Sequence, residues 1–202
     1  MKVGITLPQF RDEADTALAT ARLAEEAGLD GVFVFDHLWP IGRPNRPALH
    51  SLPLLGALAV ETTHLTIGSL VSRIGLLPDA VLVNALLTVH RMVEGRFIAG
   101  LGVGDKLSKA ENEAFGVPFA PAAERVASLV DCCRQLHAAG VPVWVGGLSD
   151  EMLGVAITES AALNLWAVDP GRVASTIGVE VTWAGQVHPD LDLARHLAAL
   201  RQ

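Results

Sequence analysis

The sequence has 202 residues, of which 50% are apolar and 18% charged, and its formal net charge at pH 7 is −7. A chain of this length can bury the core of one domain, so we predict a single domain over residues 1–202. The acidic balance, without a basic stripe, argues against a nucleic-acid partner. No apolar run reaches the ~20 residues that span a membrane, and the adjacent cysteines offer no disulfide framework. We therefore expect a protein of the reducing cytoplasm.

Seven short runs rich in Val, Ile, Leu and Phe predict β-strands. They cover residues 3–7, 31–36, 65–71, 97–103, 142–147, 162–168 and 179–187. Near-continuous apolar runs are typical of parallel strands that are covered on both faces. Helical patterns lie between or after the runs, over residues 15–27, 79–93, 124–139 and 191–200. This alternation of strand and helix predicts an α/β domain with a parallel sheet.

Residues that could serve a ligand follow five of the predicted strands. They are Pro8-Gln9, Asp36-His37, Ser72-Arg73, Gly104-Asp105 and Gly146-Gly147. In a barrel all strand carboxyl ends meet at one mouth, whereas a doubly wound sheet binds its ligand at one switch point. The first strand also lacks the glycine fingerprint of a switch-point site. We therefore predict a TIM-type (β/α) barrel that is incomplete, with about seven strands and no eighth.

The junction after the second strand carries Asp36 and His37, and we expect both side chains to emerge at the mouth of the barrel. A histidine there can exchange protons near neutral pH, and an adjoining carboxylate can orient it. Alternatively, Asp36 caps the following turn and His37 only forms a hydrogen bond. The two residues alone leave both interpretations open.

The fourth strand ends in the pattern GLGVGD. Gly102 and Gly104 would let a flat ring approach the backbone closely, and Asp105 would face the same mouth. The pattern lacks the third glycine of a dinucleotide-binding loop. Glu111, Asn112 and Glu113 follow on what we expect to be a short helix, and for Glu113 an ordinary polar face is at least as good an interpretation.

The fifth strand ends in Gly146 and Gly147, and Ser149 would begin the next helix. Free N–H groups and the helix dipole make such a junction an anion site, with Ser149 as an additional donor. The alternative is a glycine turn with Ser149 as a plain N-cap. The histidines show no metal-ligand spacing, so we predict no metal site. Because nucleophile-elbow and P-loop motifs are also absent, we expect a cofactor that brings its own electrophile.

Seven segments, taken in order, resemble the luciferase-like superfamily and, within it, the coenzyme F420-dependent oxidoreductases. They are KVGITLPQF, EEAGLDGVFVFDH, LTIGSLV, EGRFIAGLGVGD, ENEAFG, PVWVGG, and NLW followed by VTWAGQV. The resemblance implies an oxidoreductase that uses F420 to transfer hydride to or from a small organic substrate. An FMN-dependent monooxygenase is an alternative. Another is a non-catalytic flavin-binding or interaction protein with a truncated barrel.

The resemblance also implies roles for particular residues. Asp36 and His37 would lie beside the cofactor ring, and Asp105 falls where some F420-dependent members carry a proton donor. Family members often have a cis peptide bond after the third strand that bulges against the ring, and the matching bond here joins Ser69 and Leu70.

The resemblance places the phosphate tail of the cofactor at Gly146, Gly147 and Ser149. The region of the sixth strand departs from the family pattern Ala-Asp-Gly-Trp-Asn, because residues 160–164 read SAALN. This departure and the missing eighth strand imply a pocket that is altered or open on one side.

Members of the family also pair through the helices beside the second and third strands. In this sequence residues 52–60 and 81–89 are apolar with few charges, which implies a homodimer. The alternative is that both segments only pack on the barrel.

Overall fold

The computed structural model describes residues 2–186, so the helix predicted over residues 191–200 lies outside the described residues. Eight parallel strands form one sheet. They are β1 (Gly4–Thr6), β2 (Gly31–Val34), β3 (Thr66–Ser69), β4 (Ser72–Arg73), β5 (Phe97–Gly102), β6 (Val143–Gly146), β7 (Ala162–Trp166) and β8 (Val181–Ala184). The order along the sheet is β1-β2-β3-β5-β6-β7-β8, and the two-residue β4 pairs with β5 beyond the end of β3.

The sheet curls into an open barrel. Phe33 of β2 and Trp144 of β6 are three strands apart, which would separate them by roughly 14 Å in a flat sheet with ~4.8 Å between strands. Their ring centroids are only 5.0 Å apart, so the rings meet across the concave side. Within residues 2–186, β1 and β8 each pair on one side only. The predicted incomplete barrel of about seven strands is confirmed, since β4 only extends the path of β3.

Helices pack against the convex side of the sheet. Those in the described part are α1 (Asp15–Glu26), α2 (Ser51–Glu61), α3 (Asp79–Met92), α4 (Lys106–Ala114), α5 (Ala122–Ala138), α6 (Asp150–Thr158) and α7 (Pro170–Ser175). The helices predicted first, second and third from the sequence are α1, α3 and α5. Each is followed by a glycine with positive φ, at Gly28, Gly95 and Gly140, a conformation that side chains disfavour.

The hydrophobic core lies between the sheet and the helices. In β5, Phe97, Ala99 and Leu101 are fully buried against the helices, while the alternate positions, Ile98, Gly100 and Gly102, face the concave side. Cys132 and Cys133 of α5 are fully buried in this core as free thiols. Burial raises the pKa of each to about 12, so both cysteines are inert packing residues, as predicted.

Candidate active site at the carboxyl end of the sheet

A buried glutamine anchors the loop that follows β2. The side-chain Nε2 of Gln9 donates to the backbone oxygens of Phe35 (2.7 Å) and Leu49 (3.1 Å), and its Oε1 accepts from the backbone N–H of Phe35 (2.5 Å). The backbone oxygen of Gln9 also accepts from the N–H of Leu49 (2.9 Å). Gln9 thereby fixes both ends of the segment 35–49, which contains the Asp-His pair.

Asp36 is buried, and the protein holds both of its carboxylate oxygens. Oδ1 accepts a hydrogen bond from Ser51 Oγ (2.6 Å), and Oδ2 accepts one from the backbone N–H of Arg73 (2.8 Å). The expectation that this carboxylate emerges freely at the mouth is wrong, because these two bonds draw it inward to α2 and β4. A catalytic role for Asp36 stays a prediction.

His37 lies at the same end of the sheet with about a quarter (25%) of its side chain exposed. Its Nδ1 is 3.0 Å from Oε2 of Glu111 in α4, and the same oxygen accepts from Nη1 of Arg73 (2.7 Å). The other carboxylate oxygen accepts from the backbone N–H groups of Leu38 and Trp39. Glu111 therefore gathers the β2 loop and β4 around one carboxylate.

Glu111 and Arg73 form a buried ion pair, with side chains 1% and 4% exposed. Burial by itself raises the pKa of the Glu111 carboxyl, but the hydrogen bonds from His37 and Arg73 and the charge of Arg73 outweigh burial. Together they hold this pKa at about 2. Glu111 is therefore an anion at neutral pH. Nε and Nη2 of Arg73 have no hydrogen-bond partner in the described part of the chain, so the carboxylate is the side-chain partner of this guanidinium there.

The chain enters the concave side just after β3. The cis peptide bond expected between Ser69 and Leu70 lies one bond later, between Leu70 and Val71, so the expected position is wrong. Ser69 is fully buried, and its Oγ donates to the backbone oxygen of Gly100 (2.8 Å). Leu70 is buried as well, and Val71 is the residue whose side chain projects over the neighbouring strands.

The glycines at the ends of β5 and β6 make room for Val71. A Cβ added at Gly102 would lie 2.6 Å from Cγ2 of Val71, and one added at Gly146 would lie 2.9 Å from its Cγ1. Gly104 has φ +71° and lies against the side chain of Arg73. Gly102 and Gly146 therefore accommodate a protein side chain. Direct contact of these glycines with a cofactor stays a prediction.

The junction after β6 has the geometry of an ordinary helix start. Ser149 Oγ accepts from the backbone N–H of Met152 (3.3 Å), so Ser149 is the N-cap of α6. A Cβ added at Gly147 would lie 2.5 Å from Cγ of Met152, so close helix packing requires this glycine. The first turn of α6 is acidic, and its Asp150 lies 3.7 Å from Arg172. Phosphate binding at this junction stays a prediction.

Asp105 is the N-cap of α4. Its Oδ1 accepts from the backbone N–H groups of Leu107 (2.9 Å) and Ser108 (3.0 Å) and from Ser108 Oγ (3.0 Å). Burial raises the pKa of the Asp105 carboxyl, but these hydrogen bonds outweigh burial and lower it. The cap therefore favours the carboxylate form, and the proton-donor role of Asp105 stays a prediction.

Three residues that build this site have no particular role predicted from the sequence. Gln9 and Arg73 are marked there only as residues that follow strands and could serve a ligand. Glu111 is one of two glutamates on a short helix, and no sequence signal separates it from Glu113. The structure separates them plainly, because the side chain of Glu113 is 60% exposed.

In the part of the chain that the structure describes, no group of three or more His, Cys, Asp or Glu side chains is placed to hold a metal ion. None of the helices between residues 2 and 186 combines the length and the apolar character needed to cross a membrane.

Comparison with known proteins finds a family model described as luciferase-like monooxygenase, which matches residues 1–140. An F420-dependent glucose-6-phosphate dehydrogenase of Nakamurella multipartita is 33% identical over 135 residues, covering 66% of this chain and 36% of that protein. The protein of the same name from Beutenbergia cavernae is 33% identical over 130 residues, covering 64% and 37%. The chain thus spans about a third of the length of these curated relatives.

Solved structures share the fold at low sequence identity. An F420-dependent secondary alcohol dehydrogenase, in complex with an F420-acetone adduct, superimposes with a TM-score of 0.74 at 20% identity, covering 100% of this chain and 74% of that one. The coenzyme F420-dependent tetrahydromethanopterin reductase from Methanopyrus kandleri gives a TM-score of 0.71 at 16% identity, covering 92% and 65%. At these identities the likeness establishes the fold alone.

Proposed function

The chain belongs to the luciferase-like monooxygenase family, and from that premise we propose that it is an oxidoreductase in which hydride passes between coenzyme F420 and a small organic substrate. The relatives at 33% identity support this, because they are named as F420-dependent dehydrogenases. The family match over residues 1–140 includes His37, Arg73 and Glu111. The substrate and the activity of the whole protein belong to this proposal, since the alignment spans only part of each relative.

The observation that carries the proposal is a partly exposed imidazole at the carboxyl end of the sheet, after the strand that pairs with the one leading to Val71. His37 follows β2 and Val71 follows β3, and these two strands are neighbours. Barrel enzymes bind their ligands at this end, where the loops after the strands meet. A flat ring bound there would meet an apolar surface and a proton-exchanging group on adjacent strands.

The residues of the mouth fit an uncharged flat ring. Val71 fills the glycine-lined space over β5 and β6 with an apolar surface. Phe35, just after β2, and Trp166, the last residue of β7, have ring centroids 5.6 Å apart and add aromatic faces. When bound, F420 would supply a carbon atom that gives or accepts hydride, which no amino-acid side chain can do. Ser69 and Leu70 would contribute by placing Val71.

For the anionic tail of the cofactor we propose the start of α6. Gly147 and Ser149 lie there, and the N–H groups of a first helical turn favour negative charge. Asp150 opposes an anion at this position, and Arg172, 3.7 Å from Asp150, offsets that charge. This end of the pocket is therefore less well prepared for its ligand than the wall around Val71.

We propose His37, rather than Asp105, as the residue that holds or releases the proton that accompanies hydride transfer. Asp105 caps α4, and the cap lowers the pKa of its carboxyl, which leaves it poorly suited to donate a proton at neutral pH. His37 is an imidazole with an exposed edge, and imidazoles exchange protons near neutral pH.

Titration of the purified protein with oxidised F420 tests the proposal, with FMN titrated in parallel. We expect a saturable change in F420 fluorescence and weaker binding of FMN. No change at high F420 concentration would refute the proposal. Preferential binding of FMN would favour the monooxygenase alternative, and binding of F420 without turnover of any substrate would favour the non-catalytic one.

A matched pair of variants tests the wall. Val71→Ala removes the apolar surface that the ring would contact, and we expect the dissociation constant for F420 to rise about 5-fold or more, the effect of about 1 kcal/mol. Leu23→Ala shortens an exposed apolar side chain on α1, away from the mouth, and should leave binding unchanged. Equal affinities of the two variants would contradict this placement of the ring.

We also propose that the protein is a homodimer that acts in the cytoplasm. Val60 of α2 and Val81 of α3 are 78% and 51% exposed, and exposed apolar side chains on neighbouring helices are typical of contact surfaces. Light scattering at micromolar concentration should give the mass of a dimer. A monomeric mass would count against pairing.

A further inference from the structure

We propose that Glu111 and Arg73 are positioning residues that hold His37 in the tautomer with its proton on Nδ1, so that Nε2 presents its lone pair to the mouth. The consequence for catalysis rests on the proposed function, because it matters only if His37 handles a proton there. The tautomer itself is a property of the free protein.

The arginine and backbone groups that face the Glu111 carboxylate are all hydrogen-bond donors. Arg73 Nη1 and the backbone N–H groups of Leu38 and Trp39 can only donate hydrogen bonds. A carboxylate accepts all three hydrogen bonds and also balances the charge of the buried guanidinium, which a neutral carboxyl would leave unpaired. Glu111 is therefore a carboxylate, which agrees with its pKa of about 2.

The ionised state of Glu111 determines which nitrogen of His37 carries the proton. Its Nδ1 lies 3.0 Å from Oε2 of Glu111, within hydrogen-bond distance. Because an ionised carboxylate cannot donate, the hydrogen of this bond must belong to Nδ1. The neutral ring then carries its lone pair on Nε2. Since Nδ1 faces the buried Glu111 and a quarter of the side chain is exposed, we infer that Nε2 is the ring nitrogen that faces the mouth.

Arg73 is the counterion of the Glu111 carboxylate. A buried carboxylate needs a positive partner, and Arg73 supplies it at 2.7 Å with its own side chain almost fully buried. Glu111 therefore does not depend on an imidazolium as its counterion. Asp105 also has an electrostatic interaction with His37.

The hydrogen-bond network around His37 is anchored in separate elements of the fold. Glu111 is on α4 and Arg73 on β4, while the backbone N–H of Arg73 also binds the carboxylate of Asp36 at the start of the His37 loop. The two ends of this network are thus anchored in separate elements of the barrel. Such support fixes the orientation of an imidazole as well as its tautomer.

Nuclear magnetic resonance of the free protein, labelled with ¹⁵N at its seven histidines, tests the proposal without any cofactor. His37→Gln identifies the signals of His37 by their loss. We expect the neutral ring of His37 to be protonated on Nδ1 in the wild-type protein. A ring protonated on Nε2 would overturn the proposal, and this result requires no variant that might fail to fold.

Two glutamate variants provide the matched comparison. In Glu111→Gln the side chain is no longer only an acceptor, because either its oxygen or its NH₂ group can face His37. Nδ1 is then no longer required to carry the proton, and the Nε2-protonated tautomer should appear. Glu113→Gln changes an exposed carboxylate on the same helix, which contacts Lys109 at 3.7 Å, and should leave the His37 signals unchanged. A folded Glu111→Gln variant that keeps the wild-type tautomer would also overturn the proposal.

Arg73 is tested by its conservative variant. Arg73→Met should alter the His37 signals, because the carboxylate loses its buried counterion. Arg73→Lys keeps a charge and a donor and should restore the wild-type pattern. If both variants behave alike while remaining folded, Arg73 has no part in positioning His37.

Activity provides a separate readout. With F420-dependent turnover in hand, Glu111→Gln should lower kcat by roughly 10²–10⁴-fold, the scale on which a wrong tautomer slows a histidine-dependent reaction, with KM little changed. The two proposals fail separately. A correct tautomer without F420 binding refutes only the proposed function, and F420 binding with an Nε2-protonated His37 refutes only the positioning role.

Discussion

Replacing Gln9 by leucine tests whether one buried amide holds the loop that presents His37. Leucine has a similar volume but forms no hydrogen bond, so the N–H and oxygen of Phe35 and the oxygen of Leu49 lose their partner. A buried polar group left unsatisfied costs about 1–3 kcal/mol, and the oxygens can partly relax toward water. We therefore expect the free energy of unfolding to fall by about 2–5 kcal/mol.

This loss is a large fraction of the free energy of unfolding of about 5–15 kcal/mol that is usual for a domain. For a domain of this size, about 2–4 °C of Tm is lost per kcal/mol, so Tm should fall by roughly 4–20 °C. Urea unfolding followed by tryptophan fluorescence measures the free energy, and a thermal scan measures Tm. Affinity for F420 should fall in parallel, because the same loop carries the Asp-His pair.

The matched control is Gln135→Leu in α5. Gln135 is exposed, and its one hydrogen bond in the structure is a long contact of 3.4 Å to the backbone oxygen of Asp131. Its replacement should change the free energy of unfolding by no more than about 0.5 kcal/mol. A loss for Gln9→Leu no larger than that for Gln135→Leu would refute the argument that the amide anchors the loop.

Three further predictions concern charge, space and thiol chemistry. The folded-state pKa of Glu111 is about 2 instead of the usual 4.5, so the ionised carboxylate should contribute about 3 kcal/mol to stability above pH 4.5, and this contribution should be lost as the pH falls through 2. Acid unfolding curves should therefore show the Glu111→Gln variant converging on the wild type only below about pH 2. Gly102→Ala should lower the free energy of chemical unfolding by about 1–3 kcal/mol, because the added Cβ meets Val71. Gly154→Ala, inside α6 with open space around it, should raise this free energy by about 0.5–1 kcal/mol. The reverse order would contradict the packing described. Burial raises the pKa of Cys133 to about 12, so a thiol reagent should label it at the rate of unfolding, and rapid labelling of the native protein would disprove its burial.

The strands and the principal helices were predictable because their signals are local. Near-continuous apolar runs indicate strands covered on both faces, and a glycine after a helical pattern indicates where the chain can adopt positive φ. The break between β3 and β4 after Ser69 was not predictable from the residues. The family resemblance placed the cis peptide bond one position too early. Nothing in the local sequence distinguishes Leu70 from Val71 as the residue whose side chain would project over β5 and β6.

The position of His37 at the carboxyl end of β2 was determined by the sequence alone, because a strand end is a local property. Its surroundings were decided by the tertiary structure. Glu111 is 74 residues away along the chain, and Arg73 reaches the same carboxylate from β4. In the sequence Glu111 and Glu113 look equivalent, yet a step of two residues turns a helix by roughly 200°, so only one of them can face the site. Which face of α4 packs inward depends on the barrel around it, and that packing makes one glutamate a buried anion and leaves the other on the surface.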